Sequence, residues 1–317
     1  MTATLPSIGQ VPMLVATLAC MSFTFVYLAG FYVFGDIRTG GTGRSRNEPK
    51  VIVARCKAVI VSSILTASLV WLILRVYGAW PDSLSIMDQI HSLLWILGVV
   101  PPSSWLALVN VICLPVLLTA SLFLGPLSLM FLDNSLIFQS DFSFDRDIRR
   151  NILSLEGLRN FVIGPLTEEF VFRACVIALL KFSGYSNMYL VFASSLYFGL
   201  AHLHHAWEKY HDYGANARAL KAALLQSGFQ FLYTTVFGWY VSWIFIRTDS
   251  ILAPTLCHTF CNIMGFPDVN AIKDHKPVTQ KSKSYDGYPK TLSLCSNGSI
   301  LSFVVIFLQF YGVSSSL

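Results

Sequence analysis

Two adjacent glutamates and an arginine, Glu168, Glu169 and Arg173, interrupt an otherwise apolar stretch that contains PLTEEFVFRA (165–174) and runs over residues 158–182. Two more polar sets occur in apolar surroundings further on: Phe198 and His202 within SLYFGLAHLHH, and His258 and Asn262 within SILAPTLCHTFCNIMG. A carboxylate and an imidazole together can hold and deprotonate a water molecule. A histidine and an asparagine four residues apart share a helix face and can donate hydrogen bonds to a developing oxyanion. The combination describes hydrolysis of an acyl bond without a covalent intermediate.

Helix periodicity separates the two glutamates. Glu169 and Arg173 are four apart and can pair, whereas Glu168 is rotated by about 100° from its neighbour. One carboxylate is then neutralised by arginine and the other is left to act as a base. A buried ion pair that merely locks helices together would leave the same trace, but ionisable residues inside a membrane are costly, at least about 2.5–3.5 kcal/mol each on insertion scales, and are functional by default.

The composition establishes that setting. Of 317 residues, 54% are hydrophobic and only 12% charged, with a mean hydropathy of +0.60. A soluble domain carries about twice that charged fraction. The pattern predicts an all-α, polytopic integral membrane protein of about eight transmembrane helices, near 12–34, 58–74, 106–132, 158–181, 188–205, 222–246, 250–266 and 299–316. The apolar piece 90–102 is too short to span and reads as interfacial or re-entrant. The first eleven residues have no basic region, so the apolar stretch after them reads as an anchor that is retained.

Of the 22 lysines and arginines, 18 fall in alternate connections, those after the first, third, fifth and seventh spans. The positive-inside rule places these connections in the cytosol, the polar loops 36–57 and 267–298 among them. On that topology Glu168, His202 and His258 lie about 15, 5 and 12 Å from the cytosolic ends of their helices, all in one half of the bilayer. The sequon at Asn297 faces the cytosol and stays unmodified. The net charge of +5 is accounted for by topology, and no basic stretch interleaved with aromatics points to nucleic acid. The seven cysteines have no disulfide spacing.

Other chemistries fit parts of the set. His202, His258, Cys257 and Cys261 are possible zinc ligands, although H-E-x-x-H is absent. Cys175 lies two turns from Glu168 and offers a thiol nucleophile. A transporter uses similar buried charges, but half-repeats with broken helices are not evident. His204 and His205, at the end of their span, read as solvated surface residues.

The pattern E-E-x-x-x-R, then F-x-x-x-H, then H-x-x-x-N resembles that of the CPBP family of intramembrane proteases, and the text over about 150–268 resembles its eukaryotic CAAX prenyl protease branch. The resemblance implies a single protease domain, 1–317, with its motif-bearing core at 150–268. It implies an endoplasmic reticulum enzyme that removes the last three residues of prenylated CAAX proteins such as small GTPases. Glu168 and His202 would activate water, His258 and Asn262 would form the oxyanion site, and Glu169, Arg173 and Phe198 would support them. No metal and no cofactor is implied. The lipid bilayer is the one further partner. Some members of the wider family have other roles, so a transporter or a non-protease scaffold stays open on the motifs alone.

Overall fold

The computed structural model describes residues 4–33 and 45–265. The expected eighth span, the 267–298 loop with Asn297 and part of the 36–57 loop lie outside the described residues. Within them the chain is helical, with no strand. The helices α1 (Met13–Val33), α2 (Pro49–Val76), α3 (Ile86–Ile96), α4 (Trp105–Ser121) and α5 (Leu124–Leu132) come first. A π-helical segment, Phe144–Ile152, then leads into a composite helix over 155–182. Its α-helical pieces α6 (Leu155–Gly157), α7 (Gly164–Glu169) and α8 (Val176–Phe182) are joined by π-helical stretches at Leu158–Ile163 and Phe170–Cys175. Then follow α9 (Asn187–His202), α10 (His204–Asp212), α11 (Ala217–Thr248) and α12 (Leu252–Met264).

Among the described residues three unbroken helices are long and apolar enough to cross a membrane, and a fourth crossing is available if the bent pair α4–α5 counts as one. That pair, expected as one span, bends by 84°. Pro126 explains the break: its ring clashes with the carbonyl of Leu122 in a continuous helix, but it is tolerated in the first turn of a new one. Residues 49–57, expected as loop because of their charge, are the first turns of α2, which starts on Pro49. Proline is pre-organised for that position. The apolar piece near 90–102 is mostly α3, capped by the Ser85 side chain and ended at Gly98, whose φ of +66° suits glycine. The Gly98 carbonyl accepts a hydrogen bond from Ile251 N–H at 3.0 Å. The turn between α11 and α12 is thereby tied to α3.

Close packing fixes the helices that carry the polar residues. Ser194 of α9 and Ser242 of α11 share a hydrogen bond of 2.9 Å. A Cβ built on Gly238 of α11 would stand 2.8 Å from the Cβ of Ser195, and one on Gly199 of α9 would collide with Thr235 and Phe231. Small residues at such crossings let apolar helices approach closely enough for dispersion to hold them. On the other side of α11, Tyr240, Val241 and Ile244 pack with Ala253 and Cys257 of α12, and the Tyr240 hydroxyl is 2.8 Å from Thr119 of α4. Tyr27 of α1 reaches Thr167 of α7 at 3.0 Å and packs edge-on to Phe172.

Gly238→Leu should therefore force α9 from α11 and cost at least the 1–3 kcal/mol typical of overpacking, read as a lower melting temperature in detergent. Gly228→Leu, on the same helix but with nothing within 4 Å of its Cβ position, should melt like the parent. Equal melting of the two would contradict this packing.

Candidate active site

Pro165 has no N–H to give to the carbonyl four residues back. In the composite helix that carbonyl belongs to Phe161, and the preceding π turn sends the Gly164 N–H to Arg159 rather than to Asn160. Two half-buried carbonyls are thus released from the helix ladder, and inside a membrane protein such groups need partners. Both are taken by α12: Thr259 Oγ1 donates to the Phe161 oxygen at 2.7 Å, and Asn262 Nδ2 donates to the Asn160 oxygen at 2.9 Å. The proline and the π turn make a docking edge for the helix that carries His258. π-Helical turns inside α-helices are frequent at functional sites for this reason.

Docking sets the next contacts. His258 Nδ1 lies 2.7 Å from Glu169 Oε1, and the other oxygen, Oε2, lies 3.1 Å from Arg173 Nε. A carboxylate only accepts, so Nδ1 donates and Nε2 is the nitrogen turned toward Glu168, 3.8 Å from its Oε2. Glu169 and Arg173 are wholly buried, whereas the Glu168 side chain keeps 26% of its surface. The Arg173 guanidinium lies over the Phe198 ring at 4.1 Å, a cation–π contact that is strongest when desolvated. The expected Glu169–Arg173 pair is present, and the rotation of Glu168 away from it is too. Phe237 packs against the His258 ring at 5.1 Å and Phe198 at 6.2 Å.

His202 sits on α9. Its Nδ1 lies 2.9 Å from the Phe198 carbonyl, which again only accepts. The proton is then on Nδ1, and Nε2 is left as an acceptor. Glu168, His202, His258 and Asn262 all line one cavity of about 910 Å³, together with the apolar side chains of Phe31, Phe123 and Phe237. Four residues drawn from three separate stretches of sequence meet there.

The remaining sequence candidates fall out differently. Cys175 is fully buried in the core and does not line the cavity. Cys257 packs with Tyr240 and Val241 while Cys261 faces the cavity, so the four-residue zinc set is not assembled. His204 and His205, expected as solvated surface residues, are half-buried on the cavity wall. His204 stacks on Phe31 and His205 is 3.3 Å from Glu208. Sequence reasoning missed the bond between Glu169 and His258, and also Asn160, Thr259 and Phe237. Pro165 was the available signal for Thr259, because it announces an unpaired carbonyl one turn back, that of Phe161; the π turn that frees the Asn160 carbonyl left no signal.

Residues 150–264 match the family model described as Type II CAAX prenyl endopeptidase Rce1-like. The human protein named CAAX prenyl protease 2 is 35% identical over 265 residues, covering 82% of this chain and 74% of its own. The chain belongs to the CAAX prenyl protease 2 family. The Saccharomyces cerevisiae member is 30% identical over 254 residues, 75% of this chain and 77% of its own. The Arabidopsis thaliana member is 45% identical over 109 residues, 34% of each chain. No solved structure matches the chain. In this family member the matched segment coincides with the elements that build the cavity wall around Glu168, from the composite helix to α12.

Thr259→Val removes the donor to Phe161 while keeping the shape of the side chain. It should cost about 1 kcal/mol, the low end of the penalty for an unpaired carbonyl because this one is half-buried, and lower activity by loosening α12. Unfolding in detergent is the check, and an unchanged midpoint would mean that this carbonyl does not need Thr259.

Proposed function

We propose that this membrane protein is an intramembrane endopeptidase that removes the C-terminal tripeptide of prenylated CAAX proteins, with Glu168 and His202 activating the attacking water. The observation that carries the reading is the cavity in which a half-buried carboxylate, two histidines and an asparagine meet an apolar lining. Its volume of about 910 Å³ is in the range of sites that enclose a drug-sized ligand. An isoprenoid chain suits the apolar wall, and the peptide tail suits the polar end.

Glu168 accepts a proton from water as the oxygen adds to the scissile carbonyl. His202 Nε2, an acceptor, orients the same water. Negative charge then collects on the carbonyl oxygen. His258 can donate from Nε2 as well as from Nδ1 only as the doubly protonated imidazolium; in that form it and the second N–H of the Asn262 amide donate to the oxyanion. The Nδ1–H of His258 is already committed to Glu169. The tetrahedral intermediate collapses as the proton held by Glu168 passes to the departing amine, and the C–N bond breaks. Donors fixed before the charge appears stabilise it without reorganisation, which is the largest contribution in many hydrolases.

Glu169 and Arg173 keep His258 in place and do not touch the reacting atoms. The site lies in the cytosolic half of the endoplasmic reticulum membrane, so that the lipid chain enters from the bilayer while the tail, for example of a small GTPase, approaches from the cytosol.

Glu168→Gln keeps the shape and removes the base. Turnover of a prenylated CAAX peptide by the purified variant should fall about 10²–10⁴-fold with the melting temperature unchanged. Near-normal turnover of the folded variant would show that Glu168 is not the base.

A further inference from the structure

The wall of the cavity carries a basic group that the chemistry above does not use. Arg46, Arg55 and Arg159 all line it. Arg55 is paired with Glu208 at 3.0 Å. The other two are not ion-paired among the described residues. Arg159 bonds only neutral oxygens: Nε to Asn160 Oδ1 at 2.9 Å, Nη1 to the Arg46 carbonyl at 2.8 Å, and Nη2 to Asn47 Oδ1 at 3.0 Å. A guanidinium has five N–H donors, so two remain on Arg159. The Arg46 guanidinium is exposed and has no partner among the described residues.

We infer that Arg46 and Arg159 form the subsite for the C-terminal carboxylate of the substrate. The inference rests on the protease reading and adds to it the device that recognises the end of the chain. A tail cut three residues from its end carries one obligatory anion, the terminal carboxylate. Three extended residues reach about 10 Å, and a charge-assisted hydrogen bond adds about 3 Å. Arg159 precedes Glu168 by nine residues, about 13 Å at the α-helical rise and somewhat less because Leu158–Ile163 is π-helical. The match places the carboxylate at the arginines when the scissile bond is at Glu168.

Asn160 ties the two ends of this span together: its side chain accepts from Arg159 and its carbonyl from Asn262. Planar guanidinium groups suit a carboxylate because they can bind it through two parallel bonds. A subsite of this kind fixes the cut three residues from the terminus, since a longer tail puts its charge past the arginines and a shorter one falls short.

The test compares two prenylated peptides, identical but for a free carboxylate or an amide at the C-terminus. Parent protein in phosphatidylcholine vesicles should favour the acid at least tenfold in kcat/KM, in line with a hydrogen bond to a charged group. The double variant R46Q/R159Q should bring the ratio toward unity, and Arg159→Lys should keep part of it. Arg46→Gln, which breaks no bond among the described residues, should lower the ratio on its own and guards against misfolding of the double variant. A general folding defect lowers both peptides alike and leaves the ratio intact, so an intact ratio in folded variants overturns the inference. Equal cleavage of both peptides by the parent also overturns it while leaving the protease reading standing. Cleavage of neither overturns both. An anionic lipid headgroup would satisfy the same guanidinium groups. In that case the substitutions leave the ratio alone, and the rates on both peptides follow the phosphatidylserine content of the vesicles, which again overturns the inference.

Discussion

A carboxylate with no access to water governs this structure. Glu169 is completely buried, and an ionised carboxylate in a medium of low dielectric is stable only if its charge is met at close range. Arg173 meets one oxygen and His258 the other. Arg173 then needs its own accommodation, and the Phe198 ring of α9 supplies a face at 4.1 Å. One carboxylate therefore fixes three segments, the composite helix, α9 and α12, in a single arrangement. It also fixes which nitrogen of His258 is turned to Glu168. The reacting groups are positioned by a charge that takes no part in the reaction.

The composite helix is shaped for the same end. A regular α-helix over 155–182 would bond the Asn160 and Phe161 carbonyls internally and present α12 with a smooth apolar surface. Pro165 and the π turn before it give up those two bonds, and Thr259 and Asn262 recover them across the interface. Apolar packing between membrane helices is tolerant of rotation. Two hydrogen bonds, a salt bridge and a ring contact are not. Local backbone irregularity is thus converted into a defined rotation of α12, which brings His258 to Glu169 and Asn262 to the cavity.

Much of this was legible in the sequence because it depends on spacing within one helix. The four-residue separation of Glu169 and Arg173 predicts their pairing, and the offset of Glu168 predicts that it faces away from that pair. The all-helical fold follows from apolar runs, and so do the three unbroken membrane-length helices among the described residues. What lies between helices was not legible. Periodicity says that His258 and Asn262 share a face, but not that the imidazole meets Glu169. The 84° bend between α4 and α5 hid inside one apolar run, and only Pro126 marked it. Charge made residues 49–57 look like loop although they are helical, because lysines and arginines at a helix end keep their heads in water while their stems pack. The arginines at the cavity wall were absorbed into the topology count, where their meeting in space left no trace.

The central claim is that Glu169 and His258 are one energetic unit. A double-mutant cycle with Glu169→Gln, His258→Gln and the double variant, read by unfolding in detergent, tests it most directly. If the pair holds the site together, the second substitution should cost much less once the first is made, giving an interaction energy of about 1–3 kcal/mol. Losses that add within about 0.3–0.5 kcal/mol would mean that the two residues are independent, and would contradict the account.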